Sequence, residues 1–138
     1  MQSHDRPSGV SDATVAAAGK VSEALEWVER ARGRLYDFHQ MLGRADLLLG
    51  ESADQLEHAG HPDLAERVRS ELVGRNVLEG RWTFQIVEEF DDTYWSAIRE
   101  GEKLVRDQLL DGRRHVFESE MKDRRRTDGL RHHERRPA

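Results

Sequence analysis

The chain has 138 residues, 36% hydrophobic and 36% charged, with a formal net charge of −5 and no cysteine. That length supports one domain. The absence of cysteine excludes disulfides, thiolate metal sites and cysteine nucleophiles. Residues 1–110 carry thirteen basic and twenty-one acidic groups, and 111–138 carry nine and six. An acidic body repels phosphate backbones, which disfavours nucleic acid as a partner. No apolar run approaches the length of a membrane span and no signal peptide is visible, so the expected location is cytoplasmic.

Residues 1–10 are polar, contain Pro7, Ser8 and Gly9, and show no periodicity; they are expected to be a disordered N-terminus. A single helical domain is expected over 11–126, with Ser11 or Asp12 as the first N-cap. From there to about Ala59 a helical pattern runs through Val21, Leu25, Val28, Leu35, Phe38, Leu42, Ala45, Leu49 and Leu56. Ala24, Trp27, Ala31, Met41 and Leu48 broaden that seam on one side. A face this wide implies more than one neighbouring helix. One long helix is favoured over two broken near Gly50. A polar stripe lies beside the seam: Arg32, Tyr36, His39, Gly43, Asp46 and Gly50. Its two glycines, seven apart, suggest close approach of a partner backbone.

Gly60-His61-Pro62-Asp63 breaks the pattern, with Pro62 suited to the first position of a new helix and Asp63 to its N-terminal dipole. A short amphipathic helix follows to about Val73, then a connection to Gly80.

Residues 81–110 hold most of the aromatic residues. Phe84, Val87, Asp91, Tyr94, Ile98, Gly101, Val105 and Gln108 step by three and four, as one helix face does. Leu104 and Leu109 widen that face. Asp91 sits where a core residue belongs. A carboxylate there must be paired, metal-bound or neutral. Asp111-Gly112 marks an end or kink, Arg113 to Arg126 continues helically, and 127–138 is expected to be a disordered basic tail.

The fold expected is all-α, a three- to four-helix bundle built on a long N-terminal helix paired antiparallel with the 81–110 helix, or completed as a homodimer.

Four groups of residues are candidates for function. Glu88, Asp91 and Asp92 lie on neighbouring turns and would suit Mg²⁺ or Mn²⁺, which take hard oxygen ligands. Glu88-Glu89-x-x-Asp92 with Glu120-x-x-Asp123 resembles the all-α nucleoside triphosphate pyrophosphatases of the MazG type, whose helices carry E-E-x-x-E and E-x-x-D. The resemblance covers those few residues and departs at Asp92, where the family has Glu. It implies a divalent-metal hydrolase of phosphate-containing small molecules. The alternative for Asp91 is an ion pair to an Arg such as Arg32 or Arg44. Arg32, His39 and Asp46 are the residues expected near a substrate or in that pairing. Histidines His39, His58, His61 and His115 lack a repeated ligand spacing; His115 with Glu118 gives H-x-x-E. The basic run Lys122 to Arg126 belongs to no sequence-reading module. Trp27 and Trp95 lie off their seams and mark a candidate contact surface. The favoured reading is a non-catalytic helical interaction protein without a cofactor, which pairs with itself or with another helical protein.

Overall fold

The computed structural model describes residues 3–135. Among these the fold is all-α. Helix α1 runs Asp12–His58, α2 Pro62–Glu71, α3 Thr83–Glu89, α4 Ser96–Leu110 and α5 Val116–Arg125. A π-helical segment, Phe90–Trp95, joins α3 to α4. With α3, the π segment and α4 taken as one rod, the described residues form four helices. No helix among them is long and apolar enough to cross a membrane.

Helix α1 is one unbroken element of 47 residues, about 70 Å long. Ser11 caps it by accepting the Thr14 N–H at 3.1 Å, satisfying one of the unpaired amides of the first turn. Its other end is a Schellman closure. Gly60 takes φ +91°, and the N–H groups of Gly60 and His61 reach the carbonyls of Glu57 and Leu56. Only glycine adopts that φ without strain. Pro62 then opens α2, as its position predicts.

The chain divides into two compact units, 1–28 with 96–138, and 29–95. In the first, Val15, Ala18, Leu110 and Val116 form the buried cluster, flanked by Val10 and Val105. Gly19 lies against Phe117 of α5, and Ser22 donates to Glu102 at 3.1 Å. In the second, Ala53 and Ala65 are fully buried and Val87 nearly so. Arg69 of α2 bridges Asp54 and Glu57 of α1 at 2.9 and 2.7 Å. In each unit the residues met by α1 fall in number as α1 rises, Val15 with Leu110 and Ser22 with Glu102, then Arg32 with Asp91 and His39 with Thr83. The pairing is antiparallel.

The segments expected to lack order make specific contacts in the first unit. Arg6 pairs with Asp12 at 2.7 Å and Glu120 at 2.5 Å, Pro7 is buried, and Arg113 donates to the Asp5 carbonyl at 2.9 Å. Arg135 approaches Asp5 and Asp123 at 3.6 and 3.7 Å. Residues 1–2 and 136–138, which belong to the same expectation, lie outside the described residues.

Two expectations are corrected. A strict three-four step puts Phe84, Tyr94, Gly101 and Gln108 on the inner face. All four are exposed, and Trp95, Glu102 and Leu110 turn inward. Ile98 and Val105 keep their expected half-buried places; a face that repeats every 3.6 residues or so drifts from a strict three-four step, and that drift brings Trp95 and Glu102 inward. Second, a Cβ built on Gly43 or Gly50 would meet nothing within 4 Å, so no backbone approaches there.

Candidate functional site

The polar stripe of α1 and the start of the aromatic rod meet at Arg32. Its Nε and Nη2 donate to Asp91 Oδ1 and Oδ2 at 2.7 and 3.0 Å. Its guanidinium carbon also lies 4.2 Å from the centre of the Trp95 ring and 5.8 Å from that of Tyr36. A planar fork that binds a carboxylate edge-on while covering an indole is chemistry particular to Arg. Asp91 and Trp95 are four apart and so present neighbouring side chains on one face. Both carboxylate and guanidinium are partly shielded, with side-chain exposures of 23% and 29%. The Arg32 hydrogen bonds hold the Asp91 carboxyl below its ordinary range, against partial desolvation, which pushes it up. In the same way Asp91 raises the Arg32 guanidinium.

Two turns further along, His39 Nδ1 lies 2.6 Å from Thr83 Oγ1, and its ring stands edge-on to Tyr36. Asp46 serves a different element: its Oδ1 accepts the Gly74 N–H at 2.7 Å, fixing the chain just beyond α2. Arg32, His39 and Asp46 thus face three separate partners. Helix α3 is set by Gln85, whose side chain accepts the Trp82 N–H at 2.9 Å, the reaching-back half of a capping box.

Of the acid cluster, Asp91 turns inward, whereas Glu88 and Asp92 are exposed and Glu89 pairs with Arg81. The second acidic motif is engaged in its own unit, Glu120 by Arg6 and Asp123 by Arg126 at 2.7 Å. Among the described residues, the trio whose ligand atoms converge within 4.8 Å is Glu26, His115 and Glu118, with Glu26 and His115 exposed. The cluster Glu88, Asp91 and Asp92 does not converge in that way. The H-x-x-E spacing carried part of this signal; the contribution of Glu26, far away in sequence, had none.

Trp27 is 60% exposed, while Trp95 is half-buried under Arg32. The sequence reading missed Glu102, a nearly buried carboxylate that also accepts from Arg106 at 3.2 Å. The i,i+4 spacing of Glu102 and Arg106 was its one available signal.

The second apolar stripe of α1 is the larger feature. Phe38 and Ala45, read as part of the first seam, belong to this stripe instead. Trp27, Phe38, Met41 and Leu48 are 60%, 42%, 66% and 45% exposed.

No protein family, curated protein or solved structure matches the chain.

Proposed function

We propose that the chain is a non-catalytic helical interaction protein of the cytoplasm, which self-associates through the exposed stripe of α1. The observation that carries this reading is the stripe itself. Large apolar side chains are left uncovered at helical spacing on the longest helix, and isolated exposed residues would not form such a line. Trp27 lies on the same stripe and supplies its largest exposed side chain. The absence of cysteine agrees with a reducing compartment.

A metal-dependent hydrolase would need Asp91 to give up both hydrogen bonds to Arg32. It would also need Glu88 and Asp92 to turn toward it. The geometry around Arg32 supports a structural ion pair.

Light scattering on the purified chain tests the reading. The expected mass is that of a dimer or larger, and Phe38→Ser/Met41→Ser lowers it to a monomer while helicity by circular dichroism is retained. A wild-type chain that stays monomeric at high micromolar concentration contradicts it.

A further inference from the structure

We infer that two copies of the chain pair through residues 30–51 of α1, antiparallel, in the register that sets Phe38 of one copy beside Met41 of the other. This rests on the self-association proposed above and assigns its geometry.

Ala31, Arg34, Phe38, Met41, Ala45 and Leu48 follow one another by three and four without a break, and all six are exposed. That spacing is a heptad seam, in which alternate turns present one side chain each to a facing helix. Beside it runs a second line, one residue per heptad: Arg30, Asp37, Arg44 and Glu51, also exposed. The charges alternate in sign. Within one copy, Asp37 meets Arg34 only at 4.0 Å.

The alternation decides the direction. In an antiparallel pair this flanking line faces its own copy, whereas in a parallel pair it faces the opposite flank of the seam. That flank is Leu35, Leu42 and Leu49, which carry no charge and are half-buried within each copy. An antiparallel pair with its two-fold axis between residues 39 and 40 places Arg30 opposite the partner's Glu51 and Asp37 opposite the partner's Arg44. By symmetry that makes four attractive pairs. Moving the axis by half a heptad sets Asp37 against itself and Arg30 against Arg44, which is repulsive. Moving it by a whole heptad toward the N-terminus pairs charges again, through Glu23, but leaves Glu51 facing uncharged Ala16 and brings Lys20 into the seam.

The preferred register also alternates bulk. Ala31 faces Leu48, and Ala45 faces Arg34, whose aliphatic stem can cover it while the guanidinium reaches water. Phe38 and Met41 meet at the centre, a favourable sulfur–aromatic contact.

The chain's lack of cysteine makes disulfide mapping clean. Ala31→Cys/Leu48→Cys in the full chain should give a disulfide-linked dimer on mild oxidation by dissolved oxygen. Ala31→Cys alone should not. In the inferred register its two copies lie seventeen residues apart along the helix, about 25 Å, beyond disulfide reach. Crosslinking of the single variant, or a dimer by light scattering whose 31/48 pair does not crosslink, would overturn the register and leave self-association standing. A monomeric mass removes both. Charge exchange is the second readout. Asp37→Arg and Arg44→Asp should each weaken dimerisation about tenfold, and the double variant should recover it. The heptad-shifted register predicts further weakening in the double variant instead, which would also overturn the inference.

Discussion

Arg32 occupies both oxygens of the Asp91 carboxylate, at 2.7 and 3.0 Å, while its guanidinium face covers Trp95. The guanidinium is thereby held in two directions, by hydrogen bonds to the inward carboxylate in its plane and by the indole against its face. A cation at Asp91 would have to displace a fixed, bidentate partner. Excess Mg²⁺ or Mn²⁺ is therefore expected to leave Tm unchanged. A ligand at a hundred times its Kd would add about 2.7 kcal/mol, several degrees for a domain of this size. A rise of that order, abolished by Asp91→Asn, would contradict the assignment of Asp91 to an ion pair.

The same pair sets a pH dependence. Because the Arg32 hydrogen bonds depress the Asp91 pKa in the folded chain, the pair stabilises fully above the unfolded carboxyl value, near pH 4. That contribution is lost as pH falls through the lower folded value. Arg32→Gln should return the Asp91 carboxyl toward its ordinary titration range, read by carboxyl-carbon NMR. It should lower Tm by several degrees at pH 7 and by less at pH 2.5, which lies below the unfolded carboxyl value and where the contribution is already declining. A Tm difference that stays constant from pH 7 to pH 2.5 would show that Arg32 acts through packing alone.

Glycines on α1 divide into two kinds. A Cβ at Gly19 would stand 2.9 Å from Phe117 Cβ, whereas at Gly33 and Gly43 it would meet nothing within 4 Å. Alanine at Gly33 or Gly43 should stabilise by up to about 1 kcal/mol from helix propensity. At Gly19 the same gain is opposed by a contact with the root of a side chain, which cannot swing aside, and the net effect should be a loss of about 1–2 kcal/mol. Denaturant titrations of Gly19→Ala alone and with Phe117→Ala measure this directly. If the loss is no smaller in the Phe117→Ala background, the contact is not its cause.

Adjacent leucines at the end of α4 differ sharply in burial. Leu110 is 5% exposed within the Val15, Ala18 and Val116 cluster, and Leu109 is 42% exposed. Leu110→Ala should cost about 2–4 kcal/mol and Leu109→Ala less than about 1 kcal/mol. Equal costs in urea unfolding would mean that Leu110 is not the leucine held in the Val15, Ala18 and Val116 cluster.

Most of the architecture could be read from the spacing of apolar residues and from the punctuation at Gly60 and Pro62, because a long antiparallel pair leaves a strong periodic trace. Asp91 was conspicuous for the same reason: one carboxylate interrupting a regular face. The π turn was not legible, since Phe90 to Trp95 has no composition that demands it. A strict three-four step averages about 3.5 residues per turn and places Tyr94 and Gly101 inside, whereas the helical turn of about 3.6 residues brings Trp95 and Glu102 there. Ala53 and Ala65, fully buried in the second unit, were inconspicuous because alanine fits a helix surface or a close helix contact equally well. At the candidate site, Arg32 and His39 were visible as a stripe; their separate partners, Asp91 and Thr83, depend on helix packing that local spacing does not encode.

Self-association through α1 is the central claim, and sedimentation equilibrium of the unmodified chain tests it most directly. The expected result is a dimer at micromolar concentration that dissociates when Phe38 and Met41 are both made serine, with helicity retained. A single monomeric species across the concentration range, still folded and cooperative on melting, would contradict it.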